Sequence, residues 1–329
     1  MTRRSVVAAL CLAGFTATAA AQAPRTAVGV DAKEPRHVVV WQGGRGLYGS
    51  SDGGDTWARL GVNPRAVTRI VVAEGGRGVL LGTDEGLLRS GDSGKTFTAA
   101  DAGPGRPVVV DLASAGPSLF AVAEDGILRS ADGGKTFRSA GVPGRAFHLY
   151  RIRTNHQLPG QVVLVAPALL FRSDDGGETW TRLPAAGDFE FGSLAWGVGN
   201  PPVVLAGNRL GIFRSLDGGA TWKGVSGSPA FLRGLWVPDP STEKYVLVAT
   251  QPQPGDEAQS AKAPAKGLYR TIDGGKGWSR NLSPDGGVVT EVAFAPGRTE
   301  VLYCVTESGG LFRSANRGDS WRAITLPSP

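Results

Sequence analysis

Ser173-Asp-Asp-Gly-Gly-Glu-Thr-Trp180 is one of seven segments of this 329-residue chain that superimpose. The other six run from Ser50 to Trp57, Ser90 to Phe97, Ser130 to Phe137, Ser215 to Trp222, Thr271 to Trp278 and Ser314 to Trp321. Their third positions are Asp52, Asp92, Asp132, Asp175, Asp217, Asp273 and Asn316, separated by 40, 40, 43, 42, 56 and 43 residues. A period of about 43 residues is the length of one four-stranded blade of a β-propeller. The expected fold is therefore all-β: a single seven-bladed propeller with four antiparallel strands per blade, filling residues 22–329.

Each segment is flanked by strand-like runs, such as Gly211-Ile-Phe-Arg-Ser215 before one and Thr221-Trp-Lys223 after it, so it reads as a hairpin turn between the third and fourth strands. An Asp in such a turn can accept from nearby backbone N–H groups, while Gly supplies backbone conformations that a Cβ would penalise. The closing Trp or Phe is placed to plug a hydrophobic core, so Trp180 and Trp222 are both expected to be core residues. Six segments also carry an arginine just before them, Arg89, Arg129, Arg172, Arg214, Arg270 and Arg313. A residue that recurs in nearly every blade is expected to serve the blade, here by linking sheets. A calcium loop is disfavoured, because most segments offer one acidic donor and Gly stands two residues after each Asp.

The pattern S-x-D-x-G-x-T-W resembles the Asp-box, the bacterial neuraminidase repeat. Asp-box propellers include sialidases, xyloglucan-cleaving enzymes, sortilin-like receptors and photosystem II assembly and stability factors, so the resemblance implies a fold and leaves the activity open.

Counting strands A to D outwards from the axis, the second blade is expected near Val67 to Ala73, Gly78 to Gly82, Leu87 to Ser90 and Lys95 to Ala99. Thr26 to Val30 can start the first blade and Trp321 to Leu326 can end the last, so ring closure is expected to rest on packing between complete blades. Chain direction places the B–C and D–A loops on one face and the Asp-boxes with the A–B loops on the other. The long spacing comes from residues 251–266, rich in Pro, Ala, Gln and Lys, expected to be a mobile insertion in blade six on the face opposite the Asp-boxes.

At the start of the chain, Arg3 and Arg4 precede an apolar run from Val6 to Phe15 and a string of small residues ending at Ala21. This layout predicts a signal peptide over residues 1–21 and export to the periplasm, cell envelope or extracellular space. Its removal lowers the formal charge from +6 to +4. The remaining Lys and Arg are scattered, which argues against a nucleic-acid partner. No later stretch is apolar enough to span a bilayer. Cys304 would be left without an intrachain partner and is expected to be buried.

Chemistry beyond the repeat is sparse. Sialidase sites need an arginine triad, a Tyr–Glu pair and an acid; the Phe/Tyr-Arg-Ile-Pro segment that supplies the first arginine is missing, and only Tyr150 falls on an innermost strand. The three histidines, His37, His148 and His156, have no metal-ligand spacing, and neither a cofactor motif nor a metal site is expected. A glycoside hydrolase of sialidase-like type is the alternative. The favoured reading is a monomeric, non-catalytic platform for a protein, peptide or glycan.

One innermost-strand column changes character around the ring. Aligning Arg69-Ile-Val, Asp111-Leu-Ala, Arg151-Ile-Arg, Leu194-Ala-Trp, Gly234-Leu-Trp, Glu291-Val-Ala and Ala27-Val-Gly brings together Arg69, Asp111, Arg151 and Glu291, with Arg153, Trp196 and Trp236 two positions on. Two readings stand. Charges on one arc and indoles on another would make an amphipathic pocket for a peptide or an anionic sugar. Otherwise the charges pair to fill a wet channel, and the tryptophans pack between blades.

Overall fold

The computed structural model describes residues 26–328, except 74, 104, 124–125, 142–150, 156–157, 159, 167–168, 185–192, 198–200, 240, 243, 252–265, 282 and 296. The expected signal peptide and almost all of the 251–266 insertion lie outside the described residues. Among these residues there are seven four-stranded antiparallel sheets, each built from four consecutive strands, and no helix. The innermost strands are Thr26–Val30, Val67–Ala73, Val109–Ala115, Arg151–Thr154, Ser193–Trp196, Leu232–Trp236 and Val289–Ala293. Each touches its neighbours, the first against the last, and the ring is closed.

Strands B are mostly apolar, with a polar residue at the hairpin end in five blades, because each is covered on both faces by adjoining blades. Ser118–Ala123, Val204–Asn208, Val246–Thr250 and Leu302–Thr306 are buried at every residue. The core is accordingly divided into seven clusters, and each draws side chains from two adjacent blades. The closing cluster joins Val28, Val40 and Tyr48 of the first blade to Tyr303, Val305 and Leu311 of the last. Polar bonds reinforce that seam. Tyr303 Oη donates to Gly53 O at 2.6 Å, and Thr26 Oγ1 and Gln42 Nε2 both donate to Gly309 O, at 2.8 and 3.1 Å.

The Asp-box lies in the C–D turn and works by saturating the turn's donors. In the fourth blade Ser173 Oγ donates to Asp175 Oδ1 at 2.7 Å and accepts from Gly177 N at 2.7 Å. Asp175 Oδ1 also accepts from Glu178 N at 3.0 Å and Thr179 N at 2.9 Å. Gly177 has φ +87°, and a Cβ there would sit 2.6 Å from the Phe120 ring of the preceding blade. Because the carboxylate takes the N–H groups that a ladder would use, strand D starts only after the box aromatic. The observed D strands are two or three residues long, Thr98–Ala99, Lys223–Gly224 and Arg322–Ala323 among them. They are shorter than the segments expected from Lys95, Thr221 and Trp321.

Three of the recurrent arginines link sheets by donating onward to a backbone carbonyl of the next blade's box. Arg89 Nε donates to Gly133 O at 2.7 Å, Arg172 Nη1 to Gly218 O at 3.2 Å and Arg270 Nη1 to Arg317 O at 3.0 Å.

These turns predict an acid limit. Hydrogen bonds from the Thr96 and Thr221 side chains, then from their backbone amides and from Ser90 and Ser215, lower Asp92 and Asp217 to about 2 from 3.8. Asp52, Asp132, Asp175 and Asp273 are lowered by the same kinds of bond. A carboxylate with a depressed folded pKa contributes stability that is complete above the unfolded value and lost as pH falls through the folded one. The thermal midpoint should therefore hold down to about pH 4 and fall steeply towards about pH 2. Calorimetry across that window checks it; a midpoint that stays level to pH 2 would show that the box carboxylates do not hold the turns.

Candidate functional site

Cross-strand register defines which innermost-strand residues share a level and a face. Arg69 pairs with Gly82, Asp111 with Val122, Arg151 with Val165, Gly234 with Ala249, Glu291 with Val305 and Ala27 with Trp41. Each of these partners lies one pair short of the B–C hairpin, so the column sits at the end of the ring away from the Asp-boxes. In the fifth blade the equivalent residue is Ser193, opposite Gly207; Leu194 pairs with Ala206 one step further on. The sequence alignment is thus displaced by one residue in this blade. A one-residue shift in a strand moves a side chain to the other face. Trp196 accordingly leaves the column and packs at 6% exposure against Val163, Val165 and Leu170 of blade four, its Nε1 donating to Arg153 O at 3.3 Å.

Trp236 does belong to the Gly234 face. A Cβ at Gly234 would lie 2.2 Å from its ring, which folds over the position where the blade has no side chain and packs on the cluster between blades six and seven. Both indoles therefore pack on inter-blade clusters, and Trp196 does not share the column's face.

The charges are brought together. Asp111 is 1% exposed and accepts from Arg69 Nε at 2.8 Å, Arg153 Nη1 at 3.0 Å, Ile152 N at 3.0 Å and Leu112 N at 3.0 Å. Arg69 bridges onward to Glu291 through Nη1, across the first blade, where the column residue is only Ala27. Burial pushes the Asp111 carboxyl up, but Arg69, then Arg153 and Arg151, outweigh it and bring it to about 2. Burial lowers Arg69 while Glu291 and Asp111 more than compensate, leaving it raised. Arg151 differs. It is half-buried and has no ion pair or hydrogen bond among the described residues, and burial followed by repulsion from Arg153 lowers it to about 10. It keeps its charge at neutral pH. Three guanidinium groups and two carboxylates thus share the axis, and Arg151 holds the uncompensated charge.

In four blades a β-bulge immediately precedes the column, leaving Thr68, Val110, Arg233 and Thr290 as the extra residues. Bulges re-aim side chains next to sites. Val110 is 38% exposed and Arg233 is exposed. Pattern reading missed these residues because a bulge leaves no mark in the alternation of one strand.

Among the described residues no tyrosine falls on an innermost strand, where a sialidase-type site would need one. Tyr48, Tyr269 and Tyr303 lie on B or C strands, Tyr245 precedes a B strand by one residue, and Tyr150 lies outside the described residues. Among the described residues no three His, Cys, Asp or Glu are grouped to hold a metal, and no helix is long and apolar enough to cross a membrane. Cys304 is buried.

A closed ring of seven blades with an Asp-box at every C–D turn defines the chain as a seven-bladed Asp-box propeller. The BNR/Asp-box repeat model matches residues 171–182, the third strand of blade four with its box. No curated protein matches the chain in sequence. Among solved structures it is similar to the GH74 xyloglucanase from Xanthomonas campestris, at 19% identity and TM-score 0.67, over 90% of this chain and 52% of that one. It spans only about half the length of that enzyme. It is also similar to YCF48 bound to D1 peptide, at 16% identity and TM-score 0.64, over 90% of this chain and 95% of that one. YCF48 is a photosystem II assembly factor. At these identities the likeness is one of fold.

Proposed function

We propose that this propeller is an exported, non-catalytic binding platform whose axial end, on the face away from the Asp-boxes, takes an anionic group of a peptide or protein partner. The observation that carries this reading is the uncompensated Arg151 beside a saturated Arg69–Asp111–Arg153 network. A rigid ring that holds one guanidinium half-buried and unpaired has already met much of the ordering cost of a charged contact. The solved complex of YCF48 with a peptide supports a peptide partner, and the Arg3-Arg4 leader with its apolar run supports export.

A glycosidase would need one carboxyl group that carries a proton at working pH. Asp111 at about 2 cannot supply one, and both axial carboxylates are bound to Arg69. The test is selection from a displayed random-peptide library on wild-type protein and on Arg151→Ala. Wild-type should enrich acidic peptides by at least about tenfold over the variant, as loss of one charge-assisted contact implies, with equal melting temperatures. Equal enrichment on both proteins, or hydrolysis of xyloglucan or a fluorogenic sialoside, would sink the proposal.

A further inference from the structure

Arg151 does not stand alone at its end of the ring. Arg151 and Arg153 share a strand face with their cross-strand partners Val165 and Val163, which pack into the cluster between blades four and five. From the other side of that seam come Val204 and Ala206, and Asn208 is the next residue of the same strand on the same face. Asn208 pairs with Gly211 at the base of the B–C hairpin, one residue nearer the open face than the Arg151 level. Its Oδ1 accepts from Leu210 N at 2.8 Å, which fixes the amide's orientation. Its Nδ2 is left without any hydrogen-bond partner although the residue is only 3% exposed. A buried donor without an acceptor costs folding free energy, and native structures seldom retain one without a use.

The repeat sharpens the point. At the equivalent hairpin position blades two, six and seven carry Thr83, Thr250 and Thr306, and the first two donate to the carbonyls of Gly86 and Gly267 within their own hairpins. Those two are satisfied within the hairpin, and Thr306 Oγ1 donates to Asp285 Oδ2 at 2.6 Å. Blade one carries an amide there too, but Gln42 Nε2 donates to Gly309 O at 3.1 Å, whereas Asn208, on the strand face that looks into the seam with blade four, keeps an unpartnered Nδ2. Two residues on, Leu210 stands 55% exposed at the tip of the hairpin.

We propose that Arg151 and Asn208 form a carboxylate-recognition site at the outer end of the seam between blades four and five, and that its occupant is a peptide with an apolar residue beside the carboxylate. The guanidinium supplies charge, the amide Nδ2 supplies a directed donor to the same group, and Leu210 offers an apolar surface at the rim, which a peptide side chain fits better than a sugar hydroxyl. This rests on the platform reading and adds to it the chemical group, the second donor and the point of attachment.

Synthetic leucine-containing pentapeptides provide the probes: one with a free C-terminus and no acidic side chain, one amidated with a single Asp, and one amidated and neutral. The readouts are the Asn208 side-chain amide and Arg151 Nε–H resonances of the full-length protein, with affinity from the titration. A carboxylated peptide should shift both resonances while the neutral one shifts neither, and the better of the two identifies chain terminus or side chain as the source. Asn208→Thr, which borrows the residue of three other blades and so should fold, is expected to weaken binding roughly tenfold. Asn208→Asp keeps the Leu210 bond, presents Arg151 with an internal carboxylate and should abolish binding. Unchanged affinity in Asn208→Thr, equal response to the neutral peptide, or no shift with either carboxylated peptide at millimolar concentration overturns the site. If Arg151→Ala loses binding while Asn208→Thr retains it in full, the platform reading survives and the two-donor site does not.

Discussion

Trp180→Ala should destabilise the protein by about 3–5 kcal/mol, the penalty for deleting a large aromatic from a core that cannot collapse around the hole. Trp180 is 8% exposed, and its Nε1 donates to Ala140 O of the preceding blade at 2.9 Å. Around it lie Phe120 and Ile127 from blade three and Ile152, Leu164 and Phe171 from its own blade. The ring is therefore a bolt between sheets, and its removal both opens a cavity and orphans a buried carbonyl. Trp222 is not equivalent. It is half-buried, packs at the margin of the cluster between blades four and five, and meets Pro184 O at 3.2 Å in an exposed setting. Trp222→Ala should cost about 1–2 kcal/mol, in proportion to the smaller apolar area it covers. Chemical denaturation of both variants measures the two losses; similar losses, or a loss under about 1 kcal/mol at Trp180, would show that the box aromatics do not bolt the seams.

The blade count, the strand order and the C–D position of the Asp-box were legible because the box repeats chemically distinctive residues at fixed offsets. What escaped was set by contacts between blades, which no single repeat encodes. The Leu194 alignment missed by one residue because Ser193 carries no charge to mark the column, and the bulge residues Thr68, Val110, Arg233 and Thr290 sit in runs that read as regular strand. The short D strands follow from donors consumed within the box, a cost invisible in strand propensity. Asn208 was discoverable: setting hairpin bases in register would have placed it against Thr83, Thr250 and Thr306 and shown the substitution of an amide for a hydroxyl. The charges Arg69, Asp111, Arg153 and Glu291 stand out in the column alignment, and ion pairs join them, while the sharing of those bonds, which leaves Arg151 over, depends on side-chain reach across the small Ala27.

Asp111→Asn separates the structural and the binding roles of the axis, because the two predict opposite responses to added anions. In the wild-type ring one buried carboxylate accepts from two guanidinium groups and two backbone amides. The isosteric amide keeps the volume, removes the charge and turns one acceptor into a donor facing cations. Arg153 then retains only the Ile152 carbonyl at 2.7 Å, and Arg69 only Glu291. Breaking one side of a buried ionic network leaves uncompensated charge and costs about 3–5 kcal/mol, so a large fall in the denaturation midpoint is expected at neutral pH. The deficit should narrow as pH falls below about 4, since the wild-type carboxylate, depressed to about 2 when folded, loses its own contribution over that window. A ring relieved of Asp111 also carries two further underpaired guanidinium groups beside Arg151. An anion that binds the folded state raises stability by mass action, so sulfate or a carboxylated peptide should restore the variant's midpoint more than it raises that of wild-type. Recovery by anions together with the fall at neutral pH would mean that Asp111 sets how much positive charge the axis offers a partner. A variant as stable as wild-type, or one that anions do not rescue, would mean that the network is incidental to the ring and that Arg151 owes its availability to something else.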